Sequence, residues 1–175
     1  DGGEMLRGKY FQWKAHLVPS PEGDRTPVMK KVTIKYRTDR PPVIPLSLEV
    51  TEAGNGFVIL RWRKNVEMDI AGYRIYYGTR KGVYDGIISL INGKKITNDM
   101  AEGNYVKVRI DNSVIDENRT ADARNVLVYP SMENTVLYYF AVTAYDSYRE
   151  GTVYNHESGL SSYVHARPYG GSEIK

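Results

Sequence analysis

The chain reads as an all-β protein on three counts. Tyr (15), Val and Ile are plentiful among its 175 residues, Gly (16) and Pro (8) punctuate short apolar runs, and apolar side chains alternate with polar ones where a helical period is missing. A hydrophobic share of 41% over this length suffices for one domain with a sizeable core, or one domain plus part of a neighbour. The formal charge is only +3 and the signs are mixed, so nothing points to nucleic acid or a membrane surface as partner. No apolar stretch approaches the roughly 18 to 20 residues of a membrane helix, and membrane insertion is not expected. With no Cys, disulfides, thiolate metal sites and a Cys nucleophile are excluded.

The elements follow in order. In Tyr10–Val18, Phe11, Trp13, Ala15 and Leu17 share one face and Gln12, Lys14 and His16 the other, the pattern of a half-buried strand. A polar loop with Pro19, Pro21, Gly23 and Pro27 leads to a second strand in which Val32, Ile34 and Tyr36 alternate with Lys31, Thr33 and Lys35. Together they predict a β-hairpin over residues 1–40. Two strands with one apolar face are marginal alone in water, so this hairpin is expected to belong to, or pack on, a neighbouring β domain. Residues 41–45 then read as a Pro-rich, semi-rigid linker.

From Leu46 to Pro168 a sandwich is expected. Leu46, Leu48 and Val50 alternate with Ser47, Glu49 and Thr51, and Gly54-Asn55-Gly56 supplies a tight turn. Val58, Leu60 and Trp62 point inward on the next strand, and Tyr73, Ile75 and Tyr77 share a face on the one after. Late in the chain Tyr138, Phe140, Val142 and Ala144 point inward, and residues 157–167 make a final strand. The predicted core is therefore Trp62, Tyr73, Ile75, Tyr138, Phe140 and Val142.

Taken together, Trp62, the GYRIYYG run at 72–78, the LYYFAVTAYD run at 137–146 and the NHESGLSS run at 155–162 resemble a fibronectin type III domain. The likeness covers residues 43–168 and is to the kind found in large exported or cell-surface bacterial proteins. It implies an immunoglobulin-like β-sandwich, with Trp62 as the core tryptophan and Tyr138 in a tyrosine corner, its hydroxyl tied back to nearby backbone. It also implies an extracellular or cell-surface location and neighbouring domains or another protein chain as partners; no cofactor is expected, and the missing catalytic motifs lead us to expect no enzymatic activity. More weakly, residues 8–36 resemble the closing strands of β-rich domains that precede such modules. The tail at 169–175 resembles the first strand of a following module.

The span is about 25 residues longer than a sandwich of this type requires. The excess is expected as a structured β insertion at about 86–130. There Asn92-Gly93 is a strong hairpin signal, and residues 104–110 and 125–129 alternate like two further strands.

For catalysis, His is the side chain best poised near neutral pH, but His16, His156 and His165 are scattered and show no ligand spacing. No nucleophile elbow, zinc-helix motif or phosphate-cradling loop is present. The stretch 111–122 clusters oxygen ligands, making Asp111, Asp116 and Asp122 a weak calcium candidate, without EF-hand spacing; as a solvated loop it needs no metal. Asn118-Arg119-Thr120 is formally a glycosylation sequon. The strongest recognition candidate is the loop 146–156, where Tyr148, Arg149, Tyr154 and His156 are types that carry binding energy at interfaces.

These readings predict a non-catalytic spacer and interaction module. Two alternatives follow from other features. Tyr76, Tyr139 and Tyr145, all on predicted outward faces, could form a carbohydrate-stacking row of an accessory module on a secreted polysaccharide-degrading enzyme. The N-terminal hairpin could instead add strands to an adjacent subunit in an extracellular assembly.

Overall fold

A computed structural model gives the fold and describes residues 12–34, 40–122, 127–147 and 156–170. The chain divides into two compact units, Asp1–Thr38 and Asp39–Lys175.

In the first unit a turn forms at Ser20–Arg25, with Ser20 N donating to Arg25 O (3.0 Å) and Gly23 N to Ser20 O (2.9 Å). The Ser20 hydroxyl is held by Asp24 at 2.7 Å. The predicted connection thus turns back on itself, but the predicted hairpin ladder is not there: no residue of Gln12–Ile34 is in a strand. The physical reason is visible in the exposure of Trp13 (48%), Leu17 (51%) and Ile34 (44%). Without a packing layer on its apolar face, a two-stranded ladder has little to hold it. Tyr10, Phe11, Lys35 and Tyr36 lie outside the described residues.

The second unit is the expected sandwich. Its strands are β1 (Leu46–Gly54), β2 (Phe57–Arg63), β3 (Ile70–Gly78), β4 (Gly86–Ile88), β5 (Leu90–Ile91), β6 (Lys94–Lys95), β7 (Ala101–Glu102), β8 (Tyr105–Asp111), β9 (Tyr138–Asp146) and β10 (Val164–Ala166), with helix α1 (Asn112–Ala121) between β8 and β9. One antiparallel sheet runs β1-β2-β8-β7, the other β10-β9-β3-β4, and β5-β6 form a small ribbon. The fold is an immunoglobulin-like β-sandwich of the fibronectin type III kind.

Alternation sets the core. Val58, Leu60 and Trp62 of β2 and Val106, Val108 and Ile110 of β8 meet Tyr73, Ile75 and Tyr77 of β3 and Tyr138, Phe140 and Val142 of β9 in one buried cluster. Trp62 is fully buried, with the Tyr73 ring edge-on at 5.3 Å. Its indole N–H has no acceptor among the described residues, so an unmatched donor offsets part of the ring's burial. The tyrosine corner is formed: Tyr138 Oη donates to Ser131 O (2.5 Å) and accepts from Glu133 N (2.8 Å).

Three departures from the expected pattern have local causes. In β1 the register slips between Leu46 and Glu49, where Ser47 takes a positive φ of 57°, and Leu46 is turned out of the core to 57% exposure. The predicted last strand is regular only over Val164–Ala166. Ahead of it, Ser158 and Ser161 bind β9 with backbone and side chain alike: their N–H groups donate to Ala144 O and Val142 O, and their hydroxyls accept from Ala144 N and Val142 N. From Ser158 to Val164 the chain spends three residues for every two of β9. The linker, finally, is no free spacer, because Pro42 and Pro45 are buried in this unit.

The insertion is also corrected. Strand β8 lies in the sandwich itself, paired with β2 from Arg63↔Tyr105 to Phe57↔Asp111. The Asn92-Gly93 turn does join β5 to β6, both residues having positive φ (51° and 74°). Residues 112–121, expected as a solvated loop, are a helix that fills the side of the sandwich between β8 and β4. Residues 125 and 126 lie outside the described residues, and residues 127–129 form no strand.

Helix α1 starts because Asp111, extended at φ −142°, accepts from Ser113 N (3.1 Å) and Val114 N (3.3 Å). It is held by Val114, Ile115 and Asn118, all buried. Asn118 Oδ1 accepts from Ser89 N (2.8 Å) and Leu90 N (3.0 Å), while its Nδ2 donates to Leu90 O and Val114 O, both at 2.8 Å. One turn away, the Glu117 carboxylate accepts from the backbone N–H groups of Asn92 and Gly93.

Trp62→Ala should lower stability by roughly 3 to 5 kcal/mol, read as a lower urea midpoint with an unchanged slope. Tyr138→Phe, which strands Glu133 N and Ser131 O, should cost about 1 to 3 kcal/mol in the same assay. Asn118→Ala should cost more than about 2 kcal/mol, because it strands the partly buried backbone groups of Ser89 and Leu90, while Asp111→Ala should cost only about 1. Equal effects of the last two would show that the helix is held by its cap rather than by Asn118.

Candidate functional site

Two places in the sandwich gather the side chains from which recognition could be built. The first is the end where the linker joins. Val43 is held from both sides, its N–H donating to Glu67 Oε1 (2.7 Å) and its C=O accepting from Asn65 Nδ2 (2.7 Å). Asn65 N in turn donates to Tyr73 Oη (2.7 Å), and that hydroxyl donates to Asn98 Oδ1 (2.6 Å). Ser147 N donates to Asp69 O (3.2 Å), bringing the start of the β9–β10 loop beside the β2–β3 loop. Exposed apolar residues stand at this end: Val43 at 62%, Val66 at 84% and Met68 at 102%.

Of the loop residues singled out in the sequence, His156 closes the base. Its carbonyl accepts from Asp146 N (3.1 Å), and its Nδ1 lies 3.4 Å from Asp146 Oδ2. Tyr148, Arg149 and Tyr154 lie outside the described residues. Residue Glu157, next to His156, was not singled out, yet it organises this region. Its carboxylate pairs with Arg74 and accepts from Tyr76 Oη (2.7 Å) and Thr143 Oγ1 (2.5 Å). A carboxylate fixed by three donors is a hydrogen-bond hub, with most of its acceptor capacity used within the sheet. The signal for it was faint: a Glu just outside a loop, whose partners on β3 and β9 become neighbours only through sheet pairing.

The second place is the outer face of the sheet β10-β9-β3-β4. Here the predicted tyrosine row is redrawn. Tyr145 is 4% exposed and cannot stack on a ligand, because its ring lies over Gly72, where a Cβ would meet the hydroxyl at 2.6 Å, and under the Arg74 guanidinium at 4.5 Å. A glycine opposite lets the ring lie flat on the sheet. Tyr76 turns its hydroxyl into the Glu157 hub and stands edge-on to Tyr84 at 6.0 Å. Tyr139, however, joins two residues outside that row. Tyr163 is edge-on to it at 5.8 Å, and His165, its cross-strand partner, lies at 6.0 Å. Lys81, from the β3–β4 turn, places its ammonium 5.0 Å above the Tyr163 ring, and its hydrogen bond to Tyr163 raises the Lys81 pKa.

The calcium candidate does not assemble. Asp111 caps α1 at its start, Asp116 pairs with Arg119 at 2.6 Å, and Asp122 is at the far end of the helix. Among the described residues no group of three acidic or imidazole side chains could hold a metal ion. The sequon is closed as well, since Asn118 is 3% exposed and its Nδ2 donates twice. His16 and His165 are exposed, as their alternation predicts. No helix among the described residues is long and apolar enough to cross a membrane.

Burial raises the phenol pKa at several of these positions. Tyr73 is pushed up to about 12, chiefly by loss of solvation. Tyr76 is raised further by burial together with its hydrogen bond to the Glu157 carboxylate. Tyr77, Tyr138 and Tyr145 move in the same direction, with burial the largest cause in each. A phenol whose folded pKa lies above its unfolded value of 10.0 holds its proton more tightly when folded. That contribution is complete below pH 10 and is lost as pH rises toward and past 12. Urea midpoints should therefore be level up to about pH 9 and fall steeply between about pH 10 and 12. Tyrosinate absorbance should lag and then rise together with unfolding; early ionisation of all the phenols in a still folded chain would contradict the burial.

Among solved structures, the chain is similar to a fibronectin type III domain of human contactin 1, at 14% identity over 82% of this chain and 92% of that one, TM-score 0.48. It is also similar to the fibronectin type III domain of human fibronectin type III domain containing protein 3, at 17% identity over 81% and 98%, TM-score 0.44. A further likeness is to a structure described as that of a myokine, at 14% identity over 73% and 98%, TM-score 0.43. No protein-family model matches the chain, and no curated protein matches it in sequence.

Proposed function

We propose that the chain is a non-catalytic spacer and protein-interaction module of a larger exported or cell-surface bacterial protein. Its contact surface is the end that gathers the linker, the β2–β3 loop and the base of the β9–β10 loop. The observation that carries this reading is the docking of the linker. Pro42 and Pro45 are buried, and the Val43 peptide is gripped on both sides by Asn65 and Glu67. A swinging tether would leave these groups in water, whereas a gripped one passes on orientation as well as separation. The exposed Val43, Val66 and Met68 at the same end are the kind of apolar surface that partner proteins cover. The exported bacterial setting rests on the resemblance of the GYRIYYG, LYYFAVTAYD and NHESGLSS runs to domains of that kind.

A second reading is favoured by one specific observation. The two segments flanking the polar loop, 12–18 and 28–34, are those expected as strands, yet they form no ladder and leave Trp13, Leu17, Val32 and Ile34 exposed. Such a segment could complete the sheet of another chain by strand addition.

Light scattering with size-exclusion chromatography on residues 1–175 and on a version starting at Arg40 separates the two. The spacer reading expects both to be monomers with similar unfolding midpoints. If only the long form associates, strand addition takes its place. Backbone relaxation tests the gripped linker directly: the Val43 and Ile44 amides should have order parameters of about 0.85, like the strands, and fall below about 0.6 in Glu67→Ala combined with Asn65→Ala.

A further inference from the structure

We infer that the cluster of Tyr139, Tyr163, His165 and Lys81 on the outer face of the sheet β10-β9-β3-β4 is a binding surface for an acidic polysaccharide, one whose sugars carry carboxylates. The cluster is assembled from three separate parts of the chain. Tyr139 comes from β9, Tyr163 and His165 from the last strand and its approach, and Lys81 from the turn between β3 and β4. Its four members present three rings and an ammonium. Tyr163 is 41% exposed, and Tyr139 and Tyr84 are partly exposed. Flat rings with hydroxyl edges suit the face of a sugar, which offers C–H groups to the ring and hydroxyls to its rim.

The charge of the surface selects among sugars. Lys81 and His165 have no carboxylate partner within ion-pair distance among the described residues, and the contact of Lys81 is the Tyr163 ring. The acid of the Glu157 hub is already matched by Arg74. Arg80 stands exposed beside Lys81 in the same turn, so the turn carries two cations against Asp85, whose carboxylate lies against Gly78. A neutral glycan would gain the rings alone. A uronic-acid polymer would gain the rings and also bring the ammonium of Lys81 the anion that this turn leaves to solvent, with His165 as a further N–H donor. The rings are preorganised by their mutual contacts, edge-on between Tyr139 and Tyr163 and tilted between Tyr139 and His165, so little of their side-chain freedom remains to be lost on binding.

The test is affinity electrophoresis and calorimetric titration of the full 175-residue chain with polygalacturonate, with dextran as the neutral glycan and poly-L-glutamate as the non-sugar polyanion. Polygalacturonate should retard the chain, with dextran and poly-L-glutamate each at least about tenfold weaker. Tyr163→Ala and Lys81→Gln should each weaken polygalacturonate binding about tenfold while leaving far-ultraviolet dichroism and the unfolding midpoint unchanged. Absence of retardation by polygalacturonate overturns the inference. So does equal binding of poly-L-glutamate with Tyr163→Ala harmless, which would mark a charge-only contact. Equal binding of dextran would overturn the assignment of an acidic ligand. None of these outcomes bears on the oligomeric state that tests the spacer reading.

Discussion

Tyr73 joins the apolar interior of the sandwich to its polar end. Its ring stands edge-on to Trp62 in the middle of the core. Its hydroxyl, at the rim, takes the Asn65 N–H and gives its proton to Asn98, which returns a bond to Asn65 O at 3.0 Å. Asn65 then holds Val43, so a chain of four groups runs from the core through the β2–β3 loop to the linker and, through Asn98, to the inserted segment. A buried phenol unmatched by partners would give back part of what its ring contributes; matched at both lone pair and proton, it fixes the loop geometry from the inside. The Val43 peptide of the linker is thus tied to core packing through hydrogen bonds.

The part of the fold that was legible is the part that alternation alone dictates. Trp62, Tyr73, Ile75, Tyr138, Phe140 and Val142 lie in the core because a strand buried on one face has a period of two, and nothing in tertiary structure overrides it. The tyrosine corner was legible through the resemblance, and the Asn92-Gly93 turn through its demand for two positive φ angles. Helix α1 was not legible, for a physical reason. Only Val114, Ile115 and Asn118 of its ten residues are buried, so it has no apolar stripe to read. The residue that holds it, Asn118, is polar and acts by supplying four hydrogen bonds to backbone, and a sequence shows no difference between such an asparagine and a solvated one.

The candidate sites were legible to a smaller degree, since they depend on which strands become neighbours. Tyr139 was placed on an outward face by alternation, but its company was not, because Tyr163 reaches it only through the pairing of the last strand with β9. Tyr145, on the same outward face, is covered because its cross-strand partner is Gly72. Whether an outward tyrosine is available or spent is decided by the residue opposite, which a single strand does not disclose.

The stretch held by Ser158 and Ser161 has a consequence for how this molecule behaves beside copies of itself. The outermost strand of a sheet normally offers a regular row of unpaired N–H and C=O groups, a template on which another chain can build. Here the outermost segment runs out of step with β9, and the serine hydroxyls, having accepted from β9, donate onward to Gly159 O and Ser162 O. The row is broken and two of its carbonyls are occupied. At this edge a crowded array of such sandwiches would find, among the described residues, only the short Val164–Ala166 stretch on which to zip together, so the irregularity that hides the last strand from pattern reading also guards this edge against edge-to-edge pairing.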